Sequence, residues 1–251
     1  MSIDEMFALQ FSREDLDALA EALKDMKDPV TIYTFVGDHC RYCTNTARLI
    51  DILAEASPSR NGSKLIRHVI LHKGKDSELF EKFKIERVPT VTMLEGHIRY
   101  IGMPAGEEIR GLVETIIRIS TGESGLSKET IDKLKLLKGT VHVEVIVTPT
   151  CPYCPYSALL ANMFAFESYR IGNRKIIADT VEAYENPDIA DRYGVMSVPT
   201  IALNGEVEFI GVPYEENLIE KIIEKSEKSW VKEEKSSEWE RILKDYLRKL
   251  K

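Results

Sequence analysis

Apolar residues fall into two kinds of stretch along this chain, short runs rich in β-branched side chains and longer stretches that repeat every three to four positions. The alternation occurs twice. Thr31 to Val36 (TIYTFV) and Val141 to Val147 read as buried strands. Each leads into a helical pattern, through Ala47, Ile50, Leu53 and Ala54 in the first half and through Leu159, Leu160, Met163 and Phe164 in the second. A further strand follows in each half (Leu65 to Leu71; Lys175 to Tyr184), and then a short helix (Ser77 to Phe83; Pro187 to Tyr193). Hairpins come next, Thr90 to Leu94 with His97 to Ile101 through Glu95-Gly96, and Thr200 to Leu203 with Glu206 to Ile210 around Asn204-Gly205. Closing helices run from Glu107 to Ile119, with Ile109, Leu112, Val113, Ile116 and Ile117 on one face, and from Tyr214 to Glu227. Ser57 to Ser63 is a loop by composition.

A helix precedes each half. The first starts at Ser12 with Asp15 three residues on and keeps Leu16, Leu19, Ala20, Leu23 and Met26 on one face; the second spans Leu126 to Leu137. Landmarks recur at nearly constant offset. Cys40, Pro89 and Gly102 correspond to Cys151, Pro199 and Gly211, and the spacing changes only from 111 to 109 residues. Thr121 to Gly125 is the natural boundary, so the expected organisation is a unit at 1–122, a second at 123–228 and a charged tail at 229–251. In the tail Trp239, Ile242, Leu243, Tyr246, Leu247 and Leu250 fall at helical spacing and are expected to fold back on the chain.

With 251 residues and 43% hydrophobic content, the chain can bury a core in each of two domains. Its longest uncharged apolar run, Ala158 to Phe166, is far short of the roughly 20 residues a membrane span needs. A net charge of −7 gives no reason to expect nucleic acid or an anionic membrane as partner, and protein partners are expected instead. Asp4 and Glu5 stand where a secretory signal would be basic, so a cytoplasmic location is expected. Charged residues at 30%, with Gln10 the sole glutamine, lean towards a thermophile.

All four cysteines lie in two Cys-x-x-Cys pairs, Cys40-Arg41-Tyr42-Cys43 and Cys151-Pro152-Tyr153-Cys154. Each pair sits on a strand-to-helix turn; Pro152 suits the start of a helix, and Pro155 is tolerated in its first turn. Unpaired N–H groups and the positive end of the helix dipole there favour thiolate, so the first cysteine of each pair is the candidate nucleophile. The second, one turn on, can resolve a mixed disulfide. Four thiolates could instead hold zinc, which makes a metal-binding protein or chaperone the alternative. Against zinc, the pairs are distant in sequence and each has its own downstream proline.

Val88-Pro89-Thr90, Asn186-Pro187, Tyr193-Gly194-Val195 and Val198-Pro199-Thr200, placed behind these pairs, resemble the corresponding stretches of thioredoxins, and Cys151-Pro152-Tyr153-Cys154 is the glutaredoxin active-site sequence. Over residues 10–228 the chain resembles the glutaredoxin-like protein disulfide oxidoreductases of hyperthermophiles. The resemblance implies an α/β protein of two tandem thioredoxin-like domains, each a central mixed sheet flanked by helices. It implies Cys40 and Cys151 as nucleophiles and Cys43 and Cys154 as resolving thiols. It further implies cis-prolines at Pro89 and Pro199, with Val88 and Val198 offering backbone to substrate. No cofactor is expected. Partners would be protein disulfides or dithiols, and a thioredoxin-reductase-like flavoenzyme as electron donor. An iron–sulfur cluster between subunits, as in some glutaredoxins, is a weaker alternative.

One departure stands out. Thioredoxins carry a buried aspartate six residues before the first cysteine, where this chain has Thr34 and Val145. Glu144 or Glu182 could replace it as proton acceptor; otherwise both are expected at strand edges in water. His68, His72, His97 and His142 are expected to be solvated, while His39 would tune Cys40 when protonated. Arg41 beside Cys40 should stabilise its thiolate and make the first site the more oxidising.

Overall fold

The computed structural model describes residues 2–249, with side chains for residues 2–232. The first unit contains α1 (Ile3–Met6), α2 (Arg13–Leu23), β1 (Val30–Val36), α3 (Cys43–Ala56), a two-residue hairpin β2 (Ser59–Arg60) and β3 (Ser63–Lys64), β4 (Ile66–His72), α4 (Ser77–Lys82), β5 (Thr90–Met93), β6 (Ile98–Ile101) and α5 (Glu108–Thr121). The second contains α6 (Lys128–Leu134), β7 (Val141–Val147), α7 (Cys154–Arg170), β8 (Ile176–Glu182), α8 (Pro187–Arg192), β9 (Thr200–Leu203), β10 (Glu206–Ile210) and α9 (Glu215–Lys249).

Local chemistry sets these boundaries. The Ser12 hydroxyl accepts from Asp15 N–H while the Asp15 carboxylate accepts from Ser12 N–H, a reciprocal pair that satisfies two donors at the start of α2. At the other end of the first unit, α5 stops where Gly122 takes φ 78°, a left-handed conformation that a side chain would disfavour. The hairpin β5–β6 turns through Glu95 at φ 56°.

In each unit the strand before the cysteines lies between a parallel and an antiparallel neighbour: β1 between β4 and β5, β7 between β8 and β9. The two four-stranded sheets are one. Strand β6 pairs in parallel with β8, with Ile98 opposite Ala178 and Ile101 opposite Val181, and the order is β10-β9-β7-β8-β6-β5-β1-β4. Strand alternation puts Val143, Val145 and Val147 on the face covered by α7 and Glu144 on the other, beside α8.

Polar contacts close the seam between the units. The Arg99 guanidinium donates to both Asp179 oxygens at 2.6 and 2.7 Å, and His142 Nε2 lies 2.7 Å from Asp179 Oδ2. On the other face the buried Tyr100 hydroxyl of β6 accepts from Asn162 of α7 at 2.9 Å. Arg87 forks onto Asp188. The main hydrophobic core runs through both units, from Ile32 and Ile50 to Phe164 and Ile222.

Two features differ from the sequence reading. Phe7, which belongs to no periodic stretch, is buried and stacks on Tyr42 with centroids 4.3 Å apart. Helix α9 continues unbroken past residue 228 to Lys249, so residues 229–249 extend the last helix of the second unit. The side chains of the Trp239 to Leu250 stripe lie outside the described residues.

Candidate active site

Both cysteine pairs are disulfide-bonded within themselves. Cys151–Cys154 and Cys40–Cys43 span 5.4 and 5.5 Å between Cα atoms. In the second unit β7 ends at Val147 and α7 begins at Cys154, so the pair occupies the turn from strand into helix. The Cys154 N–H, one of the donors a helix start leaves unpaired, points at Cys151 Sγ at 3.1 Å. Cys151 is 7% exposed and Cys154 is fully buried. An incoming group therefore reaches Cys151 first.

The Val198-Pro199 segment closes over this pair. Val198 O stands 3.7 Å from Cys151 Sγ, the Val198–Pro199 peptide is cis, and Gly211 N–H donates to Pro199 O at 2.7 Å. The first site repeats the arrangement. Val88–Pro89 is cis, Gly102 N–H donates to Pro89 O at 2.9 Å, and the approach of Val88 to the end of β1 is close enough that a Cβ on Gly37 would lie 3.2 Å from Val88 Cγ2.

The surroundings of the two sites differ. Tyr153, Met196, Val212 and Tyr214, in or next to the segments that converge on Cys151, are all exposed, Met196 at 95%. At the first site the N-terminal segment intervenes. Asp4 accepts from the Arg41 guanidinium at 2.6 Å and from the Tyr42 hydroxyl at 3.2 Å. Arg41, expected to stabilise the Cys40 thiolate, thus has a carboxylate of its own, and both partners are well exposed, where a pair contributes little.

Neither carboxylate proposed as proton acceptor sits at a strand edge in water; both are buried. Glu144 faces α8, where it accepts from the Tyr193 hydroxyl and from Arg192 at 3.0 Å, on the face of β7 opposite α7 and Cys154. Strand alternation is the reason: it directs Val145 towards the cysteine helix and Glu144 away. Glu182, at the end of β8, accepts from the N–H groups of Tyr184 and Glu185 at 3.1 and 2.6 Å. Burial nonetheless pushes it up to about 7, against those two donors.

Three histidines expected in solvent are structural partners instead, among them His97, whose Nδ1 lies 3.0 Å from Ile176 O of the second unit. The His68 side chain is 5% exposed and bridges Thr34 Oγ1 and Asp51 Oδ1, each at 2.8 Å. His142 holds Asp179 at the seam. Burial works to lower its pKa, but Asp179 and Glu144 outweigh that and the net shift is upward. Conversely, burial works to raise Asp179, and His142 and Arg99 bring it below its ordinary value.

Glu108 escaped the sequence reading. It is 1% exposed, and neither carboxylate oxygen has a hydrogen-bond partner. Burial, reinforced by Glu107 and opposed by Arg110, pushes it up to about 8. Its spacing to Leu112 and Thr115 held the signal, since four and seven residues on a helix return to the same face. A buried group of three or more His, Cys, Asp and Glu side chains able to hold a metal does not occur among the described residues, and the zinc and iron–sulfur alternatives find no support.

A model of the thioredoxin domain matches twice, at residues 30–114 and 141–224. A protein disulfide oxidoreductase from Aeropyrum pernix K1 superimposes with a TM-score of 0.87 at 50% identity, covering 89% of this chain and 97% of that one. A thioredoxin of Methanocaldococcus jannaschii is 39% identical over 82 residues, 33% of this chain and 92% of the relative. The alkylhydroperoxide reductase protein AhpF of Enterococcus faecalis shares the fold at 20% identity, with a TM-score of 0.74 over 85% of this chain and all of that one. Two dithiol/disulfide pairs, each at the start of a helix in such a domain, define a thiol–disulfide oxidoreductase. The chain belongs to the thioredoxin-domain family, with two of these domains in tandem. Among the described residues no helix is long and apolar enough to cross a membrane.

Proposed function

We propose that the chain exchanges disulfides with protein substrates at the second site, with Cys151 as the sulfur that substrate meets and Cys154 as the resolving one. The observation that carries this is the pairing of access with activation: Cys151 is the exposed member and receives the helix N–H at 3.1 Å. A thiolate there is stabilised and reachable, whereas Cys154 reacts only within the pair. Reduced Cys151 attacks a substrate disulfide and forms a mixed disulfide as one substrate thiolate leaves. Cys154 then attacks Cys151, the second substrate thiolate departs, and the site is left oxidised. The reverse sequence oxidises a dithiol.

Exposed Tyr153, Met196, Val212 and Tyr214 favour an extended, apolar segment of a protein as the group that docks, with Val198 offering its backbone beside Pro199. On this reading residues 1–122 and 123–228 carry one site each, Val88 and Pro89 serving the first as Val198 and Pro199 serve the second. Cys40 and Cys43, between which Arg41 and Tyr42 contact Asp4 of the N-terminal segment, exchange with an electron donor. Relatives named as an alkyl hydroperoxide reductase component and an NADH dehydrogenase support a reductase of that kind as donor; the chain spans only 20% and 25% of their lengths. A cytoplasmic setting in a thermophile fits the archaeal relatives.

The test is trapping. With a disulfide-bonded unfolded protein, Cys154→Ser should accumulate a mixed disulfide on Cys151, and Cys151→Ser should not. Second-site turnover that survives Cys151→Ser in a Cys40→Ser/Cys43→Ser background would overturn the assignment.

A further inference from the structure

Because the chain repeats, residues around the second cysteine pair have counterparts at the first. Tyr42 answers to Tyr153 at a spacing of 111 residues, and Met103 and Ala105 answer to Val212 and Tyr214 at 109. In the second unit these side chains lie open, and in the first they are covered. Tyr42 is 7% exposed against 65% for Tyr153, and Met103 and Ala105 are buried where Val212 and Tyr214 are exposed. An exposed carboxylate, Glu86, stands where the second unit has Met196.

The cover has two sources. The second unit closes one side, where Met103 N–H donates to Glu185 and Pro149 lies against Gly106. Phe7 closes the other. It belongs to the segment ahead of α2, and the stretch ahead of α6 is the end of α5, so the repeat supplies no second copy of it. The Phe7 ring stacks on Tyr42 with centroids 4.3 Å apart and planes at 24°, and Phe7, Tyr42, Met103 and Ala105 form one buried cluster with Met6 and Leu9 at its margin. Polar ties hold the segment in place. Asn45 Nδ2 donates to Phe7 O at 3.2 Å, Arg41 and the Tyr42 hydroxyl both donate to Asp4, and a reciprocal Ser2–Glu5 pair fixes α1. An aromatic ring on Tyr42, with its own carbonyl bonded to the cysteine helix, takes the place a docked apolar segment would need.

We infer that Phe7 is a specificity-determining residue of the first site: seated on Tyr42, it fills the apolar platform that the second site leaves open, and so closes the first site to extended apolar segments of protein substrates. At the second site such a segment gains Tyr153, Val212 and Tyr214 as contacts. At the first it would have to displace Phe7, and the ring would lose the burial it already has. Cys40 itself is half-buried, so a small disulfide still reaches it, as does a partner that reads the exposed charges of Asp38, Arg41 and Glu86. The two sites thereby divide their partners with the same sulfur chemistry at each.

The inference rests on the docking reading above, and one experiment separates the two. Each reduced site is isolated in the full chain, the first by Cys151→Ser/Cys154→Ser and the second by Cys40→Ser/Cys43→Ser. Its rate with a peptide whose intramolecular disulfide is flanked by valine and phenylalanine is divided by its rate with hydroxyethyl disulfide, a small probe that needs no platform. Thiolate fraction enters both rates equally and cancels in the ratio. The ratio should be higher at the second site. Phe7→Ala should raise the first-site ratio about tenfold, the modest end of what one apolar contact gives in discrimination, without reaching the second-site value while Glu86 remains. Its rate with hydroxyethyl disulfide should stay at the parent's, and Phe7→Tyr, which keeps the stacked ring, should keep the parent's ratio. A Phe7→Ala ratio equal to the parent's, beside a second site that prefers the peptide, overturns the inference and leaves the docking reading intact; a second site with no preference for the peptide overturns both. Should Phe7→Ala fail to fold, Asp4→Ala/Asn45→Ala, which releases the segment and keeps the ring, decides by the same ratio: a rise supports the inference, and an unchanged value refutes it.

Discussion

Asp179→Ala probes the seam between the two units. Asp179 is 2% exposed and receives two guanidinium hydrogen bonds from Arg99, itself 12% exposed, besides the contact with His142. Truncating it leaves a largely buried guanidinium without its carboxylate, which costs about 3–5 kcal/mol when one partner of a buried pair is removed. For a chain of this size that lowers Tm by roughly 6–20 °C. Guanidinium chloride unfolding at pH 6, followed by tryptophan fluorescence and far-ultraviolet circular dichroism, measures the loss. The direction of its pH dependence is fixed as well. Asp179 has a depressed pKa, so its contribution is present above the unfolded value near 3.8 and is lost as pH falls. His142 has a raised one, so its contribution is full below 6.5 and is lost as pH rises through the folded value. The penalty for Asp179→Ala should therefore be larger at pH 6 than at pH 9. Replacing the pair as Arg99→Met with Asp179→Leu removes both charges and should cost far less than the single change. A loss of under about 1 kcal/mol for Asp179→Ala, well below that range, would refute the view that this cluster holds the units together.

Glu108 and Glu182 have pKa values raised from 4.5 to about 8 and about 7, so the folded state holds their protons longer and stability drops as pH climbs from 4.5 through those values. Between pH 5 and pH 7.5, Glu108→Gln should gain about 3 kcal/mol on the parent in denaturant titrations; parallel curves would contradict this. Gly106→Ala would put a Cβ 2.3 Å from Pro149 O at φ 58°. It should cost about 1–3 kcal/mol and slow the Cys151 site while sparing the Cys40 site, as activity assays of the separate double-serine backgrounds would report. Asp4→Asn frees Arg41 and should lower the Cys40 thiol pKa by no more than about half a unit, read from thiolate absorbance, because the pair is exposed and screened.

The cysteine sites were legible because their chemistry and periodicity coincide over a few residues: a β-branched run, two thiols three apart, then a helical repeat. The seam was not. Ile98 and Tyr100 alternate with Arg99 and Ile101 much as they would on an outer hairpin strand, and pairing with a strand some eighty residues later leaves no local mark. Arg99 and Asp179 are polar residues whose partners come from the other unit, so their roles follow only from the docking. The surroundings of Glu144 were hidden for a simpler reason: a one-residue step along a strand reverses the face, so its place beside Arg192 and Tyr193 does not follow from that of Val145. The unbroken α9 was within reach, since no Gly or Pro interrupts residues 215–249.

The parallel junction of β6 with β8 also bears on how the chain is made. As the ribosome releases residues up to Ile101, β6 is an uncovered edge with Ile98 and Tyr100 on it, and its partner Ala178 has yet to be synthesised. At roughly 5–20 residues per second the nascent first unit waits about 4–16 s for that strand. From the release of α5 onwards Cys40 and Cys43 have every residue of their own unit, while Arg99 still lacks Asp179 and Tyr100 lacks Asn162. The nascent half is thus most exposed to strand-to-strand association with neighbouring chains during this wait, and a chaperone covering β6 would be needed then and not after release.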